Sequence, residues 1–401
     1  MDSTVSIEGS VAPGFEAVAE AFGRNFSEHG EVGASLGIYL DGESVVDLWG
    51  GVADVGSGEP WTRDTLAVTY SVTKGATATL AHLLAARGEI DLDAPVADAW
   101  PEFGANRKGR ITARDVLSHR AGLPVIDAEL TREQLIDGVP VVESLVAQAP
   151  VWEPGTAHGY HALTYGWLMG EIVRRSTGRR LGELFAELVA GPLGIDFLIG
   201  APPTDHARIA RLIDPDPPEP AEIEAIPDPA ARAQVIELIA ALSDPDTLIS
   251  RALNSNGALP TPDAAAWNDP RIFATEQPAT NGVSNGSSLA RMYAACVSEV
   301  DGVRLLDEET VAAATVEQSS GHDEVLLEDT RFGSGYMLLS PGCPMLSEAS
   351  FGHVGISGAL GFADHDAKLG FGYVQNQIGL GLTGEPRTET VIKALRAALE
   401  T

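Results

Sequence analysis

Short β-rich segments occur near both ends of this 401-residue chain, whereas the stretch between them is dominated by helical periodicity. The simplest topology pairs the two ends in one antiparallel sheet flanked by helices, with a mostly helical subdomain inserted between them, which is an α+β fold. Residues 33–40 and 43–52 are predicted to form a hairpin, because Asp41-Gly42 tolerates the positive φ angles of a tight turn. Further strands are predicted over 331–339, 351–357, 359–364 and 369–375.

The helical pattern sets the predicted division of the chain. Residues 1–70 and 325–401 are expected to form the sheet-containing region and residues 71–324 the mainly helical region, as one unit with the functional site between them. The proline- and acid-rich stretch 214–229 is interpreted as a solvated loop or, alternatively, as a lid that borders a site. Helices are predicted over 71–87, 114–117, 163–177, 181–188, 230–242, 287–300 and 385–399.

Charge and cysteine content exclude several classes of protein. Asp and Glu total 57 against 26 Lys and Arg, and the resulting net charge of −31 repels nucleic acids and anionic membranes. The sequence shows no export signal or spanning stretch, and Cys296 and Cys343 provide neither a disulfide framework nor a metal-ligand spacing. We therefore expect a cytoplasmic protein with a small-molecule substrate and no nucleic-acid or membrane partner, and we leave open a homo-oligomer.

The segment Ser71-Val72-Thr73-Lys74 opens a predicted helix and places Ser71 and Lys74 on one face. A serine hydroxyl becomes a nucleophile when a base removes its proton, and an amine one turn away serves if its pKa is depressed. The free backbone N–H groups of a helix start also stabilise an oxyanion. The alternative is a helix-capping serine followed by a solvated lysine.

Two later segments add candidate groups. Tyr160-His161-Ala162 lies in a turn before a predicted helix, where the phenol beside a lysine ammonium would serve as a general base. Otherwise Tyr160 anchors a loop on the core. His158 and His161 lack a third metal ligand at a sensible spacing, so no metal site is predicted.

The segment Gly352-His353-Val354-Gly355 belongs to a late strand whose small residues allow a substrate to approach the backbone and whose N–H groups would complete an oxyanion hole. The alternative is a glycine-rich strand at a tight packing position. Ser284, in Gly282-Val283-Ser284-Asn285-Gly286, fits a nucleophile-elbow pattern, but proline and charge precede it where a buried strand is required. We therefore expect Ser284 to lie in a loop at a helix start.

The joint order of these motifs resembles the serine β-lactamase and penicillin-binding-protein superfamily, most closely the family VIII carboxylesterases, which are similar to class C β-lactamases. The resemblance covers roughly residues 31–399 and includes the segments 117–124, 160–166 and 352–355. It implies that Ser71 is acylated, that Lys74 takes or relays its proton, and that Tyr160 completes the base. It also implies an oxyanion hole from the backbone N–H groups of Ser71 and Ile356, with His353 and Gly355 beside the substrate, and no cofactor.

Two departures from that pattern bear on the substrate. Lactamases and peptidases of this superfamily usually carry Asn where Ala162 stands and Lys where His353 stands. Ala162 has no side-chain amide, and a largely neutral His353 attracts a substrate carboxylate poorly. The sequence therefore predicts a serine carboxylesterase that cleaves short or medium acyl esters through an acyl-enzyme. The alternatives are a β-lactamase or D-amino-acid peptidase or amidase of the same superfamily, and a non-catalytic member that serves as a scaffold.

Overall fold

A computed structural model of the protein describes residues 5–215, 220–379 and 385–400. Within these residues, ten strands form one antiparallel sheet in the order β1-β3-β2-β13-β12-β11-β10-β9-β8, with β4 paired to β3. Three short strands form a second sheet in the order β5-β7-β6. The strands are β1 Ile7–Val11, β2 Gly33–Leu40, β3 Glu43–Asp54, β4 Glu59–Pro60, β5 Ala67–Val68, β6 Phe197–Leu198, β7 Val283–Ser284, β8 Ser319–His322, β9 Asp329–Phe332, β10 Met337–Leu338, β11 Ser350–Val354, β12 Leu360–Asp364 and β13 Leu369–Gln375.

The helices lie mainly between the two groups of sheet strands. They are α1 Glu16–Glu28, α2 Val72–Ala86, α3 Val96–Ala99, α4 Ala113–Leu117, α5 Arg132–Asp137, α6 Val139–Ala147, α7 Thr164–Thr177, α8 Leu181–Phe185, α9 Gly191–Leu193, α10 Pro220–Glu224, α11 Pro229–Ser243, α12 Leu248–Asn254, α13 Ala264–Trp267, α14 Pro270–Ala274, α15 Gly286–Val297, α16 Glu308–Thr315 and α17 Pro386–Leu399. No helix of the described ranges is long and apolar enough to cross a membrane.

The two ends of the chain meet where β2 pairs antiparallel with β13, in a register that sets Leu36 opposite Tyr373. The α+β fold class with its antiparallel sheet is therefore confirmed. The hairpin turn is also as predicted, because Asp41 and Gly42 both have positive φ angles, 48° and 85°.

Several boundaries differ from the predictions. The predicted strand 331–339 is two strands, β9 and β10, because Gly333 and Gly335 turn the chain between them. The edge strand β1 and the helix α1 were not predicted; β1 is largely exposed and so lacks the apolar alternation that reveals a strand. Of the proline-rich stretch, residues 216–219 lie outside the described residues, and α10 occupies part of the remainder.

Helix α15 lies directly on the sheet. A Cβ on Gly372 of β13 would meet the Gly286 carbonyl oxygen at 2.4 Å, and one on Gly37 of β2 would meet it at 2.6 Å. Only glycine at both strand positions allows the helix to approach so closely. Helix α2 contacts β11, and a Cβ on Gly75 in its first turns would lie 3.6 Å from His353 Cβ.

Candidate active site

Ser71 immediately precedes α2, but it does not act as a helix cap, because its side chain makes no capping hydrogen bond. The preceding residue, Tyr70, has a φ of 46°, which is strained for a bulky residue and is held by packing of its ring against Trp267 at 4.8 Å. The strained turn directs the chain so that Ser71 lines a narrow cavity of about 40 Å³. The hydroxyl is therefore placed at a cavity wall rather than at a solvated helix end.

Lys74 is fully buried one turn into α2. Its Nζ lies 3.1 Å from Ser71 Oγ, and it donates hydrogen bonds to the carbonyl oxygens of Ala162 at 2.8 Å and Ala279 at 3.1 Å. Burial holds the pKa of Lys74 well below its usual value. In its neutral form the amine has two hydrogens and one lone pair, so donation to both carbonyls leaves the lone pair available to the Ser71 hydroxyl. Lys74 thus has the geometry of a base for Ser71.

Tyr160 completes this group from the loop before α7. Its side chain lines the same cavity as Ser71, and Lys74 Nζ lies 4.7 Å from the centre of its ring. Burial raises the pKa of Tyr160, so the phenol is protonated in the resting protein rather than the phenolate considered from the sequence. The structure therefore brings Ser71, Lys74 and Tyr160 together at one end of the cavity.

Asp323 holds the Tyr160 loop in place and was not found from the sequence. Its buried carboxylate accepts hydrogen bonds at 2.9–3.0 Å from the backbone N–H groups of Tyr160, Val325 and Leu326. The next residue of the loop, His161, donates its backbone N–H to His119 Nδ1 at 3.1 Å. No local motif marks these contacts, because Asp323 is remote in sequence from the loop that it supports.

Ile356, the second residue predicted to contribute to the oxyanion hole, lines the same cavity as Ser71. Within the described ranges, neither the Ser71 nor the Ile356 backbone N–H has a protein acceptor. Ile356 belongs to the turn between β11 and β12, in which Gly358 N–H donates to the Gly355 carbonyl at 2.8 Å. Two N–H groups without a protein acceptor, on residues that line one cavity, agree with the oxyanion hole expected from the sequence, which stays a prediction.

Unlike Ile356, His353 and Gly355 are not among the described residues that line the cavity. His353 is buried and its Nδ1 lies 2.7 Å from the Val354 carbonyl, while burial lowers its pKa to about 3 and keeps it neutral. A Cβ on Gly355 would lie 2.4 Å from the carbonyl oxygen of Thr69. Gly355 thus allows the turn to approach the chain beside the nucleophile.

The side chains of the remaining candidate residues are hydrogen-bonded to other protein groups. Ser284 lies in the short strand β7, not in the loop expected at a helix start, because it pairs with Ala67 and Phe197. It is fully buried and donates its hydroxyl to the Asp196 carbonyl at 2.9 Å. His161 Nδ1 donates to the Gly159 carbonyl, and its Nε2 accepts from Leu123 N–H at 3.0 Å. His158 Nε2 contacts Thr330 Oγ1 at 3.0 Å.

The cavity is predominantly apolar. Among the described residues that line it, none carries a charged side chain, and Lys74 lies behind Ser71 rather than on the wall. The lining residues are Tyr70, Ser71, Tyr160, Ala162, Leu163, Leu253, Thr261, Thr280, Leu326, Met337, Val354 and Ile356. Such walls favour an uncharged group with apolar substituents.

Comparison with known proteins gives consistent matches over nearly the whole chain. The chain is 37% identical to the esterase/beta-lactamase LipL of Mycobacterium tuberculosis over 382 residues, which cover 94% of this chain and 84% of LipL. A crystal structure of a family VIII carboxylesterase is 38% identical, with a TM-score of 0.85 over 98% of this chain and all of that one. EstA from Arthrobacter nitroguajacolicus Rue61a is 32% identical, with a TM-score of 0.83 over 98% of each chain.

The family model described as Beta-lactamase matches residues 15–394, which include the nucleophile helix, the tyrosine loop and the turn that carries Ile356. The superfamily resemblance predicted from three short motifs is therefore confirmed. With a family-model match over residues 15–394 and a relative 37% identical over 94% of its length, the chain belongs to the Beta-lactamase family.

Proposed function

We propose that the protein is a serine carboxylesterase that hydrolyses neutral esters of short or medium acyl chains through an acyl-enzyme. The observation that carries this proposal is Lys74, a fully buried amine that lies 3.1 Å from Ser71 Oγ and whose other two neighbours are backbone carbonyls. The esterase relatives support an ester as the substrate. The apolar cavity supports an uncharged ester in particular.

In the acylation step, Ser71 Oγ attacks the ester carbonyl carbon while its proton moves to Lys74 Nζ. The carbonyl oxygen becomes an oxyanion that accepts hydrogen bonds from the N–H groups of Ser71 and Ile356. The tetrahedral intermediate then collapses, the bond to the alkoxy oxygen breaks, and the proton held by Lys74 reaches that oxygen through the Tyr160 hydroxyl. The alcohol leaves, and the acyl group remains as an ester of Ser71.

Deacylation repeats these steps with water as the nucleophile. Lys74, neutral again, removes a proton from water through the Tyr160 hydroxyl, and hydroxide adds to the acyl carbon. Collapse of the second oxyanion breaks the bond to Ser71 Oγ, which takes back a proton from Lys74. The carboxylic acid leaves and the resting site is restored.

The proposal is tested by matched serine variants with a neutral p-nitrophenyl ester. Ser71→Ala should lower kcat by at least about 1,000-fold, because no acyl-enzyme forms. Ser284→Ala removes a buried serine whose hydroxyl bonds to a carbonyl, so it should lower stability slightly and leave most of the activity. The reverse result would overturn the assignment of the nucleophile.

Hydrolysis of β-lactams or amides is the second candidate, because the relative LipL is named an esterase/beta-lactamase and acylation uses the same groups. The uncharged cavity wall disfavours it, since penicillins and D-amino-acid peptides carry a carboxylate. Comparing kcat/KM on a neutral acyl ester and on a cephalosporin separates the two. We expect the ester to be the better substrate.

A cytoplasmic location is also part of the proposal. Cys296 and Cys343 are free and buried, which is compatible with a reducing compartment. The net charge of −31 supports a small neutral molecule, rather than a nucleic acid or an anionic membrane, as the binding partner.

A further inference from the structure

The turn that carries Ile356 is held from behind by a buried hydrogen-bond network. The carbonyl oxygen of Ser357 accepts three hydrogen bonds, from Arg387 Nη2 at 3.2 Å, Gln375 Nε2 at 2.6 Å and Gly379 N–H at 3.0 Å. Arg387 is 2% exposed and Gln375 is fully buried. Both donors therefore act where water does not compete.

Arg387 is itself fixed by two carboxylates and a further carbonyl. Its Nε donates to Glu385 Oε1 at 2.8 Å, and its Nη1 lies 3.2 Å from Glu31 Oε1 and 3.1 Å from the Gln377 carbonyl. Tyr373 donates its hydroxyl to the other oxygen of Glu31 at 2.8 Å. A guanidinium held at four points cannot rotate freely, so the donor aimed at Ser357 has a defined direction.

Two peptide planes connect this donor to the cavity. The carbonyl of Ser357 and the N–H of Gly358 belong to one peptide unit, and that N–H donates to the Gly355 carbonyl at 2.8 Å. The Gly355 carbonyl and the Ile356 N–H belong to a second peptide unit, Gly355–Ile356, so the hydrogen bond joins the two units. In a trans peptide the carbonyl and the N–H point in opposite directions, so fixing each carbonyl also fixes the N–H of the same unit.

We propose that Arg387, together with Gln375, is a positioning residue for the oxyanion hole, orienting the Ile356 N–H through the Ser357–Gly358 and Gly355–Ile356 peptide units. Neither side chain touches the substrate. The inference rests on the proposed serine-esterase function, because it assigns the Ile356 N–H to the oxyanion of the acylation step. It implies that activity also depends on α17, which carries Arg387, and on the end of β13, which carries Gln375.

The test compares Arg387→Lys and Gln375→Met with Asp364→Asn. Gln375→Met removes a donor to Ser357, and Arg387→Lys replaces the guanidinium fork by a single amine. Asp364→Asn weakens a separate buried group at the far end of β12, where the carboxylate accepts from Ser350 Oγ at 2.6 Å. Active sites are counted by labelling Ser71 with a serine-directed phosphonate, so that unfolded protein does not enter kcat. We expect kcat per active site to fall about 10- to 100-fold in the first two variants, with KM nearly unchanged.

Affinity for a boronic acid, which forms a tetrahedral adduct on the serine, should fall in parallel with kcat in Arg387→Lys and Gln375→Met. Asp364→Asn should lower the thermal midpoint but keep kcat per active site and boronate affinity within about twofold of the wild type. Equal kcat and boronate affinity in all three variants would overturn the inference alone. If Arg387→Lys does not fold, Gln375→Met decides the result. Failure of the wild type to label at Ser71 would overturn the proposed function, and this inference with it.

Discussion

Lys74 and Lys108 are both fully buried lysines whose amines donate to backbone carbonyls, yet only Lys74 has a hydroxyl oxygen as a third neighbour. The two lysines are alike in burial and differ in the groups that their amines contact. Lys108 satisfies the carbonyls of Val146 and Gln148, whereas Lys74 also faces the side chain of Ser71. Substitutions at the two lysines can therefore distinguish the effect of changing a buried lysine on stability from the effect of losing a base on activity.

Lys74→Arg should lower kcat at least about 1,000-fold, because arginine keeps its proton at all working pH values and cannot accept one from Ser71. Lys108→Arg is the control, since it places the same change at another buried lysine. We expect it to reduce stability and to leave kcat per labelled active site within about twofold. Substantial esterase activity in Lys74→Arg would refute the role of Lys74.

The lowered pKa of Lys74 also predicts the pH dependence of the reaction. Only the neutral amine accepts the Ser71 proton, so kcat/KM should rise with pH as Lys74 loses its proton and then level off. The raised pKa of Tyr160 keeps the phenol protonated over the same range. The measurement is a pH profile with a neutral ester; a rate that falls as pH rises, in folded protein, would contradict this assignment.

The sequence was sufficient to propose Ser71, Lys74 and Tyr160, because one helical turn and one short motif define them. It was insufficient for Ala279 and Asp323. Ala279 contributes a backbone carbonyl to Lys74, and any residue type provides a carbonyl. Asp323 supports Tyr160 through a contact between residues 163 positions apart, which only the fold creates.

At the scale of elements, the site depends on the close approach of the β11–β12 turn to the residues before α2. Gly355→Ala would place a Cβ 2.4 Å from the Thr69 carbonyl oxygen, a backbone atom that cannot move without shifting Ser71. We expect at least about a 100-fold loss of kcat/KM, because a displacement of about 1 Å in a catalytic group has this effect.

Gly170→Ala in α7 is the matched control for this change. There the added Cβ would lie 3.6 Å from Pro278 Cγ, an ordinary contact, and alanine favours the helix. Activity on the same ester and thermal midpoints are measured for both variants. Unchanged kcat/KM in Gly355→Ala would show that the turn does not need this approach.

The elements differed in how well their sequences revealed them. The β2–β3 hairpin was correctly placed because Asp41-Gly42 encodes its turn locally. The predicted helix 287–300 corresponds to α15, but the sequence did not show that it lies on the sheet. That position depends on glycines of β2 and β13, which meet only after the two ends of the chain pair.

At the scale of the whole molecule, burial of neutral histidines links stability to pH. Burial lowers the pKa of His82 to about 4 and that of His161 and His353 to about 3, whereas the unfolded chain binds protons near pH 6.5. Their contribution to stability is therefore complete above about pH 6.5 and is lost as pH falls towards 4 and 3.

His82→Gln should reduce the acid sensitivity of the fold, because one proton-binding difference between the folded and unfolded chains is removed. The dependence of the unfolding free energy on pH should decrease by up to about 1.4 kcal/mol per pH unit between pH 6 and 4.5. Denaturant unfolding across this range is the measurement, and the exposed His365→Gln is the control. An identical slope in the wild type and His82→Gln would contradict the prediction.

The fold class was predictable from the order of segments along the chain, since strands at both ends and helices between them leave few topologies. The family was predictable from the joint order of three short motifs. The division into residues 1–70 with 325–401 and residues 71–324 stays a prediction. The buried hydrogen-bond network behind Ile356 could not be predicted from the sequence. It joins Glu31, near one end of the chain, to Arg387, near the other.

The central claim is that Ser71 forms a covalent acyl-enzyme with Lys74 as its base. The most direct test is mass spectrometry of the protein acid-quenched during turnover of an activated ester, followed by peptide mapping. We predict one acyl group per chain on the peptide that contains Ser71 in the wild type, and none in Lys74→Arg. An acyl group on Ser284, or turnover without any modified serine, would contradict the account.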